Sequence, residues 1–288
     1  MFETFEIQRN VGMKDHTTIG IGGPADYFYE PKSIGELVKI LDLAKNNNIK
    51  TLVIGNGSNL LFSDEGFRGL IISTKGLNSV QVKGNMIIAE AGVSNRTISD
   101  LALENSLEGF EFAEGIPGSI GGGVFMNAGA YGSEMVNVVD YVRFYDGNEI
   151  KKFSNEECQF QKRTSIFEKN NGIVLEVGIS LNKGDKSAIK DLILDYRKRR
   201  SDKQPLDKKS AGSTFKRPEG YYAGKLIEDA GLKGLSHRDA QISPKHSGFI
   251  VNNGEASFKD VYRLIEIARK VVYDKYGVEL EREVRVIE

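Results

Sequence analysis

The stretch GIPGSIGGGVFMNAGAYG, residues 115–132, places seven glycines in eighteen positions. Inside a helix or strand, glycine costs up to about 1 kcal/mol against alanine, because it gives up more backbone freedom on folding. A chain carries that density where its backbone must turn sharply, pack without a Cβ, or approach a ligand. Tyr131 is the only titratable residue in the stretch. Gly115, Gly118, Gly121 and Gly122 can present main-chain amides, Pro117 pre-sets one turn, and Ser119, Asn127 and Tyr131 add hydrogen-bonding groups.

A second loop has the same character. GNGSNLLFSD (55–64) follows TLVIG (51–55), which reads as a short buried strand. By itself this loop reads more readily as a plain inter-strand turn than as a nest of amides for an anion. Two neutral, donor-rich loops could jointly cradle a pyrophosphate without lysine, and a flavin dinucleotide is the natural guest. Valine at Gly57 or Gly118 is then expected to exclude the pyrophosphate before it disturbs the fold. GIGGPA (20–25) matches a dinucleotide fingerprint in form only, since DYFYEP follows where that motif needs a helix. No G-x-x-x-x-G-K-[ST] occurs, which sets aside a P-loop nucleotidase.

The 288 residues allow roughly two domains of about 150 each. With 39 basic and 40 acidic side chains, the net charge of −1 creates no global field for nucleic acid or an anionic membrane, and neither is expected as a partner. Cys158 is the only cysteine, and His16, His237 and His246 are far apart in sequence, so neither a disulfide nor a metal site is expected. MFETFEIQRN has no signal-peptide pattern, and no apolar run approaches a membrane span of about 18 residues. A cytoplasmic monomer is expected.

Helix and strand signals alternate. IGELVKILDLAKN after Ser33 has helical spacing, and Ser33 with Glu36 fits a capping box. VQVK and MIIAEA flank a Gly84-Asn85 turn, TISDLALENS reads as a helix, and two strands surround Asp146-Gly147. DKSAIKDLILDYRKRR (185–200) is a helix whose basic end suits the helix dipole or a phosphate. A long helix spans Phe258 to Tyr276, capped by Ser257 and ended by Gly277, and VELEREVRVI closes the chain as a strand. Along that strand Glu279, Glu281, Glu283 and Arg285 fall on one face by period two. The pattern is α+β, with a division near residue 185.

Taken in order, GNGSNLL, GIPGSIGG and MNAGAYG resemble the UDP-N-acetylenolpyruvoylglucosamine reductases, the MurB family. HTTIGIGGPA (16–25), KRTSIF (162–167), AGSTF (211–215), HSGFIVN (246–252) and EVRVI (283–287) extend the likeness over nearly the whole chain. The resemblance implies a FAD-binding region of the vanillyl-alcohol-oxidase (PCMH) type over 1–184 and a smaller α/β substrate-binding domain over 185–288. It implies NADPH-dependent, FAD-mediated reduction of the enolpyruvyl ether of UDP-N-acetylglucosamine to UDP-N-acetylmuramate, a step of peptidoglycan synthesis. By the same resemblance Ser213 is the proton donor, and Arg163 and Glu283 act on the substrate carboxylate. Non-covalent FAD falls to Gly55, Asn56, Gly57, Ser58, Asn59, Leu60, Pro117, Gly118, Ser119, Gly121, Gly122, Asn127, Gly129 and Arg200. Lys225, Arg200 and Lys245 are candidates for the substrate diphosphate.

The chain departs from the family pattern in places. Lys162 stands where tyrosine is frequent. Arg282 stands where proline is common, and is expected to hold Glu283 less firmly. No loop bearing a substrate-clamping tyrosine is apparent, as in the shorter subtype of the family. Two rival functions are a flavin oxidase of the same fold and a non-catalytic nucleotide-sugar sensor. Oxidases of that kind often attach flavin through histidine or cysteine, which both glycine loops lack. The joint presence of Ser213, Arg163 and Glu283 argues against the sensor.

Overall fold

A computed structural model describes residues 5–288. The chain forms two compact units, one of residues 29–56 and 70–200, the other of residues 5–28, 57–69 and 201–288. Each unit is therefore discontinuous, whereas the cut expected at 184/185 is linear. The helix that follows this cut packs, up to Arg200, with the residues before it.

The first unit is built on a five-stranded antiparallel sheet in the order Ile150–Ser154, Val139–Tyr145, Ile173–Ser180, Met86–Glu90, Val80–Lys83. Ile173–Ser180 reads as an apolar run because it is a central strand covered on both faces. Gly178 on this strand makes room for an aromatic ring, since a Cβ there would lie 2.2 Å from Cε1 of Tyr141. Helix α1 (Ile34–Asn46) precedes a parallel pair, Thr51–Ile54 with Phe67–Ser73. TLVI is half-buried along most of its length rather than fully buried. Ser33 caps α1 by accepting from Glu36 N at 3.2 Å. The Glu36 carboxylate accepts from Lys32 N at 2.7 Å, so the expected capping box closes one residue early.

Helix α2 (Asn95–Glu104) is capped by Ser94. The glycine-rich stretch holds a helix that its sequence conceals, α3 (Ile120–Phe125), capped by Ser119. Its propensity is poor, and tertiary packing overrides it. A Cβ on Gly121 would sit 2.8 Å from the Ala91 Cβ, and one on Gly123 2.9 Å from the Met135 Cε. These two glycines let a helix lie directly on its neighbours. Helix α4 (Ile166–Asn170) follows, then α5 (Lys186–Lys203).

The second unit holds an antiparallel sheet ordered Lys209–Ser213, Phe249–Asn252, Ala240–Ile242, Ser236–His237. Helices α6 (Ala223–Asp229) and α7 (Phe258–Tyr276) supply Leu226, Ile227, Leu264, Ile265, Ala268 and Val272 to its core. Ser257 and Asp260 close a capping box on α7, and Gly277 ends it at φ 66°. GIGGPA leads into the strand Pro24–Tyr29, which pairs with Gln8–Gly12, so no dinucleotide helix follows it. The final segment forms a strand only over Arg285–Ile287, parallel to Leu60–Phe62.

Among the described residues no helix is long and apolar enough to cross a membrane, and no group of three acidic, histidine or cysteine side chains could hold a metal. Phe167 is fully buried and meets the Phe144 ring edge-on at 5.1 Å between centroids. Phe167→Ala should lower unfolding stability by about 3–5 kcal/mol, as expected for an aromatic deletion in a core that relaxes only partly. Urea denaturation followed by circular dichroism measures it, and a loss below about 1 kcal/mol would show that this core collapses around the gap.

Candidate active site

In the second unit the predicted residues gather around Thr214. The strand Lys209–Ser213 slips register against its partner between Ser210 and Ser213, where Gly212 adopts φ 74°. Such a bulge re-aims the side chains that follow it. Ala211, Thr214 and Phe215 are buried, and Ser213 is half-buried. Thr214 N–H donates to Gly248 O at 2.8 Å, and Thr214 O accepts from Glu283 N at 2.9 Å and Val284 N at 3.4 Å. Main-chain bonds thus fix Glu283 beside the residue that follows Ser213.

Asn59 gives Glu283 a second hold. Its Nδ2 donates to Glu283 O at 2.9 Å across 224 positions of sequence, and its carbonyl accepts from Arg285 N at 2.9 Å. Leu60 pairs with Arg285 in the adjoining ladder. HTTIGIGGPA joins through Thr18 Oγ1, which donates to Ser210 O at 2.7 Å, and through Ile19 O, which accepts from Asn252 Nδ2 at 3.1 Å. Five of the eight sequence motifs therefore meet within this unit.

Two expectations change here. Glu283 does not share one strand face with its neighbours. Glu279 and Glu281 are 79% and 71% exposed, whereas Glu283 is half-buried in a segment that has left strand geometry. Arg282 does not loosen the segment either. It forms a bridge with Phe215, and its guanidinium lies 5.5 Å from the Tyr262 ring centroid. Gly57 also differs from expectation. A Cβ there would lie 2.1 Å from His16 O, and the backbone holds φ 66°, so a substitution at Gly57 strains the fold itself.

The remaining three motifs lie in the first unit. A Cβ on Gly55 would lie 2.5 Å from Ser119 Oγ, so the bare glycine lets the Gly55-Asn56 turn meet the loop before α3. Asn95, 1% exposed, grips that loop on either side of Pro117: its N–H donates to Gly118 O at 3.2 Å and its Nδ2 to Ile116 O at 3.3 Å. Gly118 itself holds φ 137°, which only glycine adopts without strain. No sequence signal marked Asn95, which reads as an ordinary first-turn residue. Arg200 is 9% exposed; it donates to Gly115 O, and a Gly115 Cβ would fall 2.7 Å from its Nε and 2.8 Å from its Cδ.

Arg163 occupies a tight turn in which Gln161 and Thr164 exchange main-chain bonds, with Arg163 at φ 59°. Both terminal guanidinium nitrogens donate to Gly129 O at 3.4 Å. Asn127 Nδ2 donates to Gln161 O at 3.1 Å and to Glu134 Oε2 at 2.8 Å. The rest of KRTSIF anchors the turn: Ser165 Oγ donates to Phe125 O at 2.8 Å, and Phe167 is in the core. Of the diphosphate candidates, Lys225 is paired with Asp229, and Lys245 Nζ donates to Ser201 O at 2.6 Å. Cys158 is fully buried, and burial pushes its thiol up to about 12, so it is not a nucleophile.

The chain is similar to proteins of known family. Residues 204–287 match the family described as UDP-N-acetylenolpyruvoylglucosamine reductase, C-terminal domain, and residues 25–150 match a FAD binding domain. The UDP-N-acetylenolpyruvoylglucosamine reductase of Clostridium novyi is 48% identical, with 98% of this chain and 92% of that protein covered. The enzyme of the same name from Caldanaerobacter subterraneus is 51% identical, with 96% and 92% covered. The crystal structure of UDP-N-acetylenolpyruvylglucosamine reductase from Thermus caldophilus superposes with a TM-score of 0.85 at 35% identity, covering 99% of this chain and all (100%) of that one. A solvent-stable cholesterol oxidase superposes with a TM-score of 0.50 at 14% identity over 63% of this chain and 38% of its own, which marks a shared fold alone. The fold is thus α+β, with a flavin-binding region of the vanillyl-alcohol-oxidase type, and the chain belongs to the UDP-N-acetylenolpyruvoylglucosamine reductase family.

Proposed function

We propose that this chain reduces the enolpyruvyl ether of UDP-N-acetylglucosamine to UDP-N-acetylmuramate with NADPH, and that Ser213, Arg163 and Glu283 carry the chemistry. The observation that bears most weight is the Thr214 hub, which holds Ser213 and Glu283 together by main-chain bonds in a member of this family. FAD, when bound, accepts hydride from NADPH and delivers it to the terminal carbon of the enolpyruvyl group.

The loops suit that cofactor. Their donors are neutral, and at Gly55 a Cβ would fill the space where the two loops meet. Gly55, Asn56, Pro117, Gly118 and Ser119 would take the pyrophosphate, together with Gly57, Ser58, Asn59 and Leu60. Gly121, Gly122, Asn127 and Gly129 would shape the flavin's surroundings, with Arg200 bracing the loop at Gly115. In the same reading residues 1–184 serve the cofactor and residues 185–288 the substrate.

Hydride addition leaves negative charge on the substrate's carboxylate-conjugated carbon. Arg163 lowers the energy of that charge, and Glu283 in its protonated form donates a hydrogen bond to it. Ser213 Oγ then gives its proton to the substrate carbon and regains one from solvent, which balances the net uptake of one hydride and one proton. A serine hydroxyl is a weak acid, but the carbon it faces is a strong base, and positioning makes the transfer feasible. The chain works in this reading as a cytoplasmic monomer without nucleic-acid or membrane partners.

Both glycine loops lack histidine and cysteine, so the flavin is held without a covalent bond. Acid denaturation should release all the yellow colour into the supernatant, and colour left on the precipitated chain would contradict this. Ser213→Ala should leave anaerobic flavin reduction by NADPH near its normal rate and slow reoxidation by the enolpyruvyl nucleotide by at least about 100-fold. Stopped-flow absorbance separates these half-reactions. Equal slowing of both would make Ser213 a structural residue, and no slowing would give the proton to another acid.

A further inference from the structure

Four residues other than glycine hold left-handed backbone around the Arg163 turn: Asn127 at φ 45°, Tyr131 at φ 54°, Gln159 at φ 45° and Arg163 at φ 59°. Such backbone is strained for a residue with a Cβ and persists only where the surroundings enforce it. Asparagine tolerates it, whereas a tyrosine does so rarely. Tyr131 and Gly132 form the tip of a hairpin in which Gly129 pairs with Glu134 and Ala130 with Ser133. Two-residue hairpin tips with positive φ at both positions favour asparagine or glycine first, so a tyrosine here calls for compensation.

The compensation comes from α5. The Tyr131 ring lies flat on Tyr196, with centroids 4.0 Å apart and planes 4° from parallel. The Tyr131 hydroxyl donates to Tyr196 O at 3.0 Å. At its other end the hairpin begins at Gly129, whose carbonyl receives both terminal nitrogens of Arg163. A continuous series of contacts thus runs from Tyr196 through Tyr131 and the hairpin to the Arg163 guanidinium.

We infer that Tyr196 is a positioning residue for Arg163: its stack with Tyr131 holds the strained hairpin that presents the Gly129 carbonyl to the guanidinium. The inference rests on Arg163 acting on the substrate. Tyr196 makes no contribution of its own to the chemistry, and its effect passes through the arginine.

Four variants in the holoenzyme test it by anaerobic stopped flow. Tyr196→Ala removes the ring and should slow flavin reoxidation by the enolpyruvyl nucleotide at least about 10-fold, while flavin reduction by NADPH changes less than twofold. Tyr196→Phe keeps the ring, and the hydrogen bond from Tyr131 goes to a main-chain carbonyl, so it should restore the normal rate. Tyr131→Gly suits φ 54° and leaves Tyr196 without a stacking partner, so adding Tyr196→Ala to it should slow reoxidation no further. Arg163→Ala should slow the substrate half-reaction, and adding Tyr196→Ala to it should cost nothing more. Full additivity of the two, or a normal rate in Tyr196→Ala, overturns the positioning role. A normal rate in Arg163→Ala instead overturns the catalytic reading on which it rests, so the two failures are distinguishable.

Discussion

Thr214 joins three distant segments with main-chain groups alone. Its amide holds Gly248, and its carbonyl holds the amides of Glu283 and Val284. A buried amide left without a partner costs about 1–3 kcal/mol, so separating these segments would orphan several at once. The arrangement therefore tolerates change in the Thr214 side chain better than any shift of the backbone. The proton transfer proposed for Ser213 needs this constraint, since one face of a substrate carbon is served only if the Oγ is held to a fraction of an ångström. Asn59 ties the same segment to the GNGSNLL loop, so the residues proposed for the flavin and those proposed for proton transfer share one support.

The glycines do two kinds of work. Gly121 and Gly123 let α3 lie against Ala91 and Met135, and Gly57 lets its loop touch His16 O. Gly55 and Gly118 instead shape the two neutral loops, one by its missing Cβ and the other by its φ. Helix α5 reinforces the second group. Arg200 reaches Gly115, Arg197 pairs with Glu114, and Tyr196 stacks on Tyr131. The basic end of this helix thus braces neighbouring loops, a role beyond favouring its own dipole.

Much of this was legible in the sequence. The cap at Ser33, the Gly84-Asn85 hairpin and the whole of α7 from Ser257 to Gly277 follow from local signals, because helix periods and caps are local properties. Helix α3 was hidden, since three consecutive glycines carry no helical preference and only packing fixes them. The closing strand was overcalled: its alternating charges mimic a half-exposed strand, but Thr214 and Phe215 draw Glu283 and Arg282 out of that pattern. The motifs that carry Ser213, Arg163 and Glu283 could be quoted from the chain. Their supports, Asn95, Thr214 and Tyr196, could not be singled out, because each acts through contacts with residues far away in sequence.

The most direct test of the account is a single anaerobic cycle on the purified yellow protein. One equivalent of NADPH should bleach the flavin's visible band, and one equivalent of the enolpyruvyl nucleotide, added without oxygen, should restore it with formation of the lactyl ether. A flavin that bleaches, ignores the nucleotide and recovers only on admission of air would contradict the account and identify an oxidase in its place.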